Sequence, residues 1–231
     1  MQFLAINGSP KPVNSNTGVM LQTIVNEMEH VCKTKSIKIK SDNTLDVMDA
    51  LLQADHVILG LPLYGNAMPA QVLEFLSVLH DEVKRSSILK DTLDKKSIGF
   101  LVQYGFKEAV HARPLEAYLK SYVELLGAKY SGTIIKGGCD GLYTQKDKRQ
   151  GKQILDELKN LMGTYKEKYL FDLVQLKDFS APETQDKKKS VFAMKLFVKV
   201  ANQFYWKKKL TTNGVSEADS FARPYARPYV K

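Results

Sequence analysis

The sequence contains little cysteine. Its two cysteines, Cys32 and Cys139, lie far apart in a chain of 231 residues, with no second thiol near either. A disulfide framework, a zinc site or an iron–sulfur site needs several cysteine or histidine residues at close spacing, so none of these is indicated. We therefore expect no metal site and a reducing, intracellular compartment.

Long hydrophobic runs are also missing. No uninterrupted apolar run approaches the roughly 18 residues that a membrane span needs, and the first residues carry neither a basic leader nor a long apolar segment. We therefore expect a cytoplasmic protein. With 44% hydrophobic and 26% charged residues, the chain is not of the disordered class and suits one domain with a sizeable core and an appendage.

Acidic residues are scarce in the last quarter of the chain. The net charge is +9, but residues 1–169 hold 22 Lys and Arg against 19 Asp and Glu, whereas residues 170–231 hold 12 against 6. A nucleic-acid-binding protein carries its basic stripe on the folded face that binds. Because the excess here belongs to a lysine-rich tail, no nucleic-acid partner is predicted.

Short apolar runs alternate with helical periodicity over residues 1–169. Strands are predicted at 2–7, around Ile37 and Ile39, and at 56–61, 98–103 and 133–135; helices are predicted at 18–32, 45–54, 69–79, 114–126 and 148–169. The alternation of isoleucine and lysine at 37–40 indicates a half-exposed edge strand, and the continuous apolar run at 56–61 indicates a central one. The pattern predicts an α/β domain whose parallel sheet is covered by helices on both faces.

The alternation stops at residue 169, which we take as the end of this domain. Residues 170–231 are predicted to form a C-terminal extension: a linker at 180–186, an amphipathic basic helix over 191–210, and an extended arm with a doubled Ala-Arg-Pro-Tyr unit at 222–229. The apolar stripe of that helix must be buried against something. We expect it to pack on the protein's own core or on a partner subunit. Contact with a membrane surface, suggested by Trp206 beside three lysines, is the less favoured alternative.

A polar loop, INGSPKPVNSNTG, runs from Ile6 to Gly18 between the first strand and the first helix. In an open α/β sheet, ligands bind outside the carboxyl ends of the strands where the strand order reverses, and this loop belongs there. Its hydroxyls, its amides and Lys11, with the unpaired N–H groups of a helix start, suit a phosphate. Capping of the helix by one of these residues is the alternative, but it does not explain the length of the loop.

The same loop narrows the kind of phosphate compound. It has neither the Gly-Lys-Ser/Thr of a P-loop nor a G-x-G-x-x-G fingerprint, and Asn7 stands where a receiver domain carries an acidic residue. Many neutral donors suit one terminal phosphate, as in flavin mononucleotide (FMN). After the third strand, Tyr64 and Met68 offer a wall for a flat ring; a proline-punctuated loop around a buried tyrosine is the alternative.

Motifs follow four of the predicted strands. They are Gly8-Ser9-Pro10-Lys11 with Ser15-Asn16-Thr17, Pro62-Leu63-Tyr64 with Met68-Pro69, Gly105-Phe106-Lys107-Glu108, and Lys136-Gly137-Gly138-Cys139-Asp140-Gly141. In these motifs the sequence resembles the flavodoxin-like NAD(P)H-dependent FMN reductases and quinone reductases. The resemblance covers residues 1–169 and implies a three-layer, doubly wound, five-stranded parallel sheet of order 2-1-3-4-5. It also implies bound FMN, NADH or NADPH as electron donor, and a homodimer.

The resemblance assigns site residues by position. It implies that the FMN phosphate is held by Ser9, Lys11, Ser15, Asn16 and Thr17. It implies that the flavin ring is framed by Pro62, Leu63, Tyr64, Gly65 and Asn66 and is closed on its other side by Gln103, Tyr104, Gly105 and Phe106. Lys107 departs from the family, since relatives often have proline there.

The implied activity is hydride transfer from the nicotinamide to FMN and on to a quinone or a similar small electrophilic acceptor, with the cofactor carrying the chemistry. Tyr104 and His111 are the nearest candidates for a catalytic proton role, although His111 equally suits an ordinary helix start. Cys139 is predicted to be inert. Two alternatives stay open: a flavodoxin-type electron carrier, which the basic composition disfavours, and a non-enzymatic flavin-binding or interaction protein.

Overall fold

All five predicted strands are present in the computed structural model, which describes residues 1–184, 198–216 and 218–219. Strands β1 to β5 are Gln2–Asn7, Lys33–Lys38, His56–Pro62, Ser97–Gln103 and Lys129–Lys136. Helices α1 to α8 are Asn16–Met28, Thr44–Gln53, Ala70–Arg85, Ser87–Asp94, Arg113–Leu125, Leu142–Gln145, Arg149–Lys168 and Leu173–Ser180, with a 3₁₀ turn at Ala109–Ala112.

The strands form one parallel sheet in the order β2-β1-β3-β4-β5, so the predicted order is confirmed. Because all strands point the same way, their carboxyl ends share one edge: Pro62 pairs with Gln103, and Gln103 pairs with Lys136. The chain order reverses between β1 and β3. The loops that follow these two strands therefore meet at the topological switch point, where α/β sheets bind ligands.

The core lies on both faces of the sheet, because successive side chains of a strand point to opposite faces. In β1, Leu4 and Ile6 pack with residues of α2, α3 and α5, whereas Phe3 and Ala5 pack with residues of α1, α7 and α8. All four side chains are buried. Burial on both faces is why the central strands read as continuous apolar runs. The edge strand β2 has no buried position, with three exposed and three intermediate residues.

Several helix bounds differ from the predicted ones. The first helix begins at Asn16, two residues earlier than predicted, because Ser15 caps it, and it ends at Met28. α3 continues to Arg85, since buried Val83 extends its apolar face past a polar stretch that hides the periodicity. α4 was not predicted; Ser86 caps its start by accepting a hydrogen bond from the Leu89 N–H.

The first compact unit continues past residue 169, where the sequence places a boundary, and runs from Met1 to Gln185. Phe171 lies just before α8, and its N–H donates to the Ser131 carbonyl of β5 at 3.0 Å. Its ring fits beside Gly132, where an added Cβ would lie 3.1 Å from the Phe171 Cβ. With Leu176 and Phe179 also buried, α8 belongs to the core of this unit.

A second unit comprises Asp186–Lys231. In its described part the backbone is helical from residue 198, with a π-helical turn at Ala201–Trp206 followed by helix α9, Lys207–Thr212. Residues 191–197 of the predicted amphipathic helix and the doubled unit at 222–229 lie outside the described residues. Within the described ranges, no helix combines the length and apolar character required to cross a membrane.

Candidate functional site

A cavity of about 340 Å³ opens at the carboxyl edge of the sheet. It is lined by Ser9, Lys11, Ser15, Asn16, Pro62, Leu63, Tyr64, Gln103, Tyr104, Gly105 and Asp140. All of these except Asp140 are predicted cofactor-binding residues. The remaining predicted residues, Thr17, Gly65, Asn66 and Phe106, do not line this cavity.

The loop after β1 turns sharply because Gly8 passes close to its neighbours. The Gly8 N–H donates to the Gly60 carbonyl at 2.7 Å, and a Cβ at Gly8 would lie only 2.5 Å from Val72 Cγ2. The Ser9 N–H then donates to Asn7 Oδ1 at 2.9 Å. These contacts position Ser9, which lines the cavity, and its hydroxyl makes no hydrogen bond to any other described residue.

The start of α1 faces the same cavity. Ser15 is the N-cap, and its Oγ accepts a hydrogen bond from the Gly18 N–H at 2.9 Å, which leaves its own O–H available as a donor. The N–H groups of Asn16 and Thr17 are in the first helical turn, and no acceptor among the described residues takes them. Unpaired N–H groups at the positive end of a helix dipole favour an anion.

The Asn16 side chain has a different partner from the predicted phosphate. Its Nδ2 donates to the Cys139 carbonyl at 2.7 Å, and its Oδ1 accepts from the Tyr143 N–H at 2.8 Å. Both hydrogen-bonding ends of the amide are therefore used to tie the start of α1 to the loop after β5. The contribution of Asn16 to an anion site comes from its backbone N–H.

Asn16→Ala is expected to lower the free energy of unfolding by about 1–3 kcal/mol, because the Cys139 carbonyl and the Tyr143 N–H lose their partner. Urea unfolding measures the change. Asn26→Ala is the matched control on the same helix, since the Asn26 amide accepts one exposed hydrogen bond from Gln22, and we expect a change within about 0.5 kcal/mol. Equal losses of unfolding free energy in the two variants would contradict the inference that the Asn16 amide ties α1 to the loop after β5.

Thr17 and Gln103 meet inside the protein. Thr17 is buried, and its Oγ1 accepts a hydrogen bond from Gln103 Nε2 at 3.1 Å. This bond joins the first turn of α1 to the end of β4. Thr17 therefore supports the site through Gln103 and its backbone N–H, and its side chain does not line the cavity.

The loop after β3 is a tight turn. Tyr64 and Ala67 exchange two backbone hydrogen bonds of 2.9 and 3.0 Å, and the two residues between them, Gly65 and Asn66, have φ values of 55° and 65°. Asparagine and glycine are the residues that tolerate this left-handed conformation. The Tyr64 side chain is 51% exposed, so the alternative of a buried tyrosine is wrong. Met68, predicted to wall the ring, packs against the core.

The loop after β4 is paired with the loop after β5. The Cys139 N–H donates to the Tyr104 carbonyl at 2.9 Å, and the Gly138 N–H donates to the Phe106 carbonyl at 2.7 Å. Gly137 permits this approach, since a Cβ there would overlap the carbonyl oxygens of Phe106 and Lys107. The pairing places Tyr104 and Gly105 on the cavity, while the Phe106 side chain is exposed beside it.

The two candidate proton-transfer residues differ in position. The buried Tyr104 hydroxyl donates to the Glu108 carbonyl at 2.9 Å, and desolvation raises its pKa to about 12. His111 does not line the cavity; its ring contacts Phe106 at 5.2 Å between centroids, and its Nε2 lies 3.7 Å from a Glu108 carboxylate oxygen. Burial also raises the pKa of Cys139 to about 12, which agrees with an inert thiol.

Solved structures match this architecture, whereas no family model matches the chain and no curated protein matches it in sequence. A protein described as an NADPH-quinone reductase from P. pentosaceus is 19% identical, with a TM-score of 0.55 over 69% of this chain and 96% of that chain. An NADH:FMN oxidoreductase in its apo form is 16% identical, with a TM-score of 0.53 over 72% of this chain and 88% of that chain.

The general stress protein 14 of Treponema denticola, solved in complex with FMN, is 13% identical, with a TM-score of 0.50 over 68% of this chain and 99% of that chain. The chain has the flavodoxin-like fold. The resemblance carried by the four motifs is thus confirmed at the level of the fold. At these identities the comparison establishes the architecture of this flavodoxin-like protein, and its activity has to be argued from the site.

Two residues at or next to the site of this flavodoxin-like protein were not assigned to it from the sequence. Asp140 lines the cavity from the loop after β5. Lys38, at the end of β2, donates through Nζ to the Lys11 carbonyl and borders an adjoining cavity of about 240 Å³; burial and the like charge of Lys40 lower its pKa. Lys38 is the last residue of β2 and Asp140 lies in the loop after β5, so both lie at the carboxyl edge of the sheet. The rule that ligands bind at this edge is the signal that points to them.

Metal-ligating side chains are not gathered in the described part of the chain. No group of three or more His, Cys, Asp or Glu residues there is placed to hold a metal ion.

Proposed function

We propose that this protein is an FMN-dependent NAD(P)H oxidoreductase that passes hydride on to a quinone or a similar small electrophilic acceptor. One observation carries the proposal: the start of α1, whose first N–H groups have no acceptor among the described residues, and the aromatic residues of two neighbouring loops border the same cavity at the switch point of the sheet. A ligand with a phosphate at one end and a flat ring at the other matches both halves.

The phosphate half is formed by the loop after β1. The hydroxyls of Ser9 and Ser15, the ammonium group of Lys11 and the first N–H groups of α1 all belong to it. Several donors that converge from backbone and side chains suit the three acceptor oxygens of a terminal phosphate. These residues fit FMN, and we assign them to its phosphate.

The ring half lies between the loops after β3 and β4. Pro62, Leu63 and Tyr64 border it on one side, and Tyr104 and Gly105 border it on the other. The exposed ring of Tyr64 presents a large apolar face of the kind that stacks on a flat ligand. A volume of about 340 Å³ is within the range of roughly 300–1,000 Å³ typical of small-molecule sites.

When bound, FMN supplies reversible acceptance of a hydride from NADH or NADPH. The residues of this chain bind and orient it. The Tyr104 hydroxyl donates to the Glu108 carbonyl and so holds the loop, and burial raises its pKa to about 12. We retain Tyr104 and His111 as the proposed proton-transfer candidates, of which Tyr104 borders the cavity.

The names of the structural neighbours support the same class of reaction. Besides the quinone reductase and the FMN oxidoreductase, they include azoreductases, one of them 15% identical with a TM-score of 0.51 over 71% of this chain. We further propose that the protein is cytoplasmic and that it forms a homodimer. The proposal of a dimer rests on the exposed side chains of Tyr64 and Phe106 beside the cavity, which offer apolar surface for a second subunit to cover.

Anaerobic stopped-flow absorption of the FMN-loaded protein tests the proposal. We expect the flavin bands to bleach within seconds on mixing with NADH or NADPH and to return when a benzoquinone is added. Free FMN at the same concentration is the control. Bound flavin that stays oxidised for minutes would instead indicate an electron carrier or a non-enzymatic flavin protein. A protein that shows no flavin bands after incubation with FMN overturns the assignment.

A further inference from the structure

The second unit holds almost all of the protein's net charge. Residues 186–231 contain 11 Lys and Arg against 3 Asp and Glu, whereas residues 1–185 contain 23 against 22. The net charge of +9 therefore divides into +8 for the second unit and +1 for the flavodoxin-like unit. The proposed oxidoreductase activity makes no use of this separation.

Large apolar side chains are exposed in the same unit. We call residues 198–209 the basic aromatic segment. Phe204 is 71% exposed, Tyr205 is 53% exposed and Trp206 is 51% exposed. The segment is helical, Val198 and Val200 are also exposed, and it ends in three consecutive lysines at the start of α9.

Charge and aromatic surface are in contact within this segment. The Lys209 ammonium lies 5.0 Å from the ring centroid of Tyr205 and 5.7 Å from that of Trp206. Lysine places its carbon chain along apolar surface and keeps its ammonium group in the polar layer. Tryptophan and tyrosine prefer the boundary between headgroups and acyl chains. The segment therefore combines cationic groups suited to the headgroup layer with aromatic rings suited to the boundary between headgroups and acyl chains.

We propose that the basic aromatic segment docks on the surface of an anionic lipid bilayer. Its aromatic and valine side chains enter the boundary between headgroups and acyl chains, and its lysines contact the anionic headgroups. A nucleic acid would satisfy the lysines but would leave Val198 and Phe204 in water, so the observed combination favours lipid. With twelve residues and four lysines, the segment is suited to lie on the surface, since a membrane span needs roughly 20 apolar residues. This inference does not depend on the oxidoreductase assignment.

Trp206 makes the docking directly measurable, because it is the protein's single tryptophan. The full-length protein is mixed with phosphatidylcholine vesicles that either contain or lack phosphatidylglycerol. We expect the tryptophan emission to move to shorter wavelength, and the protein to sediment, with the anionic vesicles only. Added salt should weaken the binding, since it screens the headgroup charge.

Charge variants distinguish binding through the lysines of the basic aromatic segment from a general attraction of the basic protein to an anionic surface. The triple variant Lys207→Gln, Lys208→Gln, Lys209→Gln is expected to bind about 100-fold more weakly, because each lysine near an anionic surface strengthens binding about fivefold. The matched control is Lys33→Gln, Lys35→Gln, Lys129→Gln, which removes the same charge from exposed positions of the flavodoxin-like unit. We expect the control to bind as the parent protein does, and Phe204→Ser to bind more weakly.

Four results with vesicles would overturn the proposal. They are the absence of binding to anionic vesicles at low salt, equal binding to neutral vesicles, binding that leaves the Trp206 emission unchanged, and equal losses in the two triple variants. Tighter binding to duplex DNA than to anionic vesicles would also overturn it, in favour of a nucleic-acid partner.

Discussion

Ser15→Asp is expected to weaken FMN binding by about 1000-fold without loss of fold stability. A carboxylate about 4 Å from a phosphate charge, at an effective dielectric constant of about 20, costs about 4 kcal/mol, which corresponds to a factor of about 1000 in affinity. The fold is spared because aspartate is as good an N-cap as serine. Its carboxylate oxygen takes the place of Ser15 Oγ as acceptor for the Gly18 N–H.

Ser15→Asn is the matched control, because asparagine also caps helices and brings no charge. Titration of FMN fluorescence gives the two affinities, and urea unfolding confirms that both variants keep the stability of the parent. If the Asp and Asn variants bind FMN equally well, the loop does not hold the phosphate. Ser15 would then serve only as a helix cap, the alternative that the sequence left open.

Phe171→Ala is expected to lower the free energy of unfolding by about 3–5 kcal/mol, the cost of truncating a buried phenylalanine. Phe171 is 3% exposed, and its ring stacks on Tyr165 at 4.3 Å between centroids. It also fills the space over Gly132. Removing the ring leaves a cavity between β5 and α7 that these neighbours cannot close without moving the sheet.

Leu173→Ala is the control for this change, because Leu173 is 77% exposed on α8, and we expect an effect within about 0.5 kcal/mol. Urea or thermal unfolding of both variants measures the difference. A cost below about 1 kcal/mol for Phe171→Ala would mean that α8 adds little to the folded unit. The functional domain would then end near residue 169, as the sequence predicts.

The strands could be predicted because a buried parallel strand leaves a clear mark in the sequence. Residues 56–61 are almost all apolar, since both faces of β3 are covered. The ends of the helices were harder to predict than the strands. In α3 the polar residues at 80–82 interrupt the apolar spacing although Val83 is buried. Helix α8 has only eight residues, three of them buried, which is too few to establish a period.

The site could be predicted to the level of loops. Ser9, Tyr64 and Tyr104 follow three different strands, and a parallel sheet brings all three to one edge. The roles of individual side chains could not be predicted in the same way. The Asn16 amide bonds to residues 123 and 127 positions away, and Thr17 bonds to Gln103, 86 positions away.

The sequence by itself determined the five strands, their order through the family resemblance, and the polar loop at the switch point, because hydrophobic periodicity and loop composition are local properties of the chain. Only the tertiary structure decided which polar side chains face the cavity, and which helices complete the core. Those choices depend on hydrogen-bond partners and on space beside glycines such as Gly132 and Gly137. Both are supplied by segments distant in sequence, so no local pattern records them.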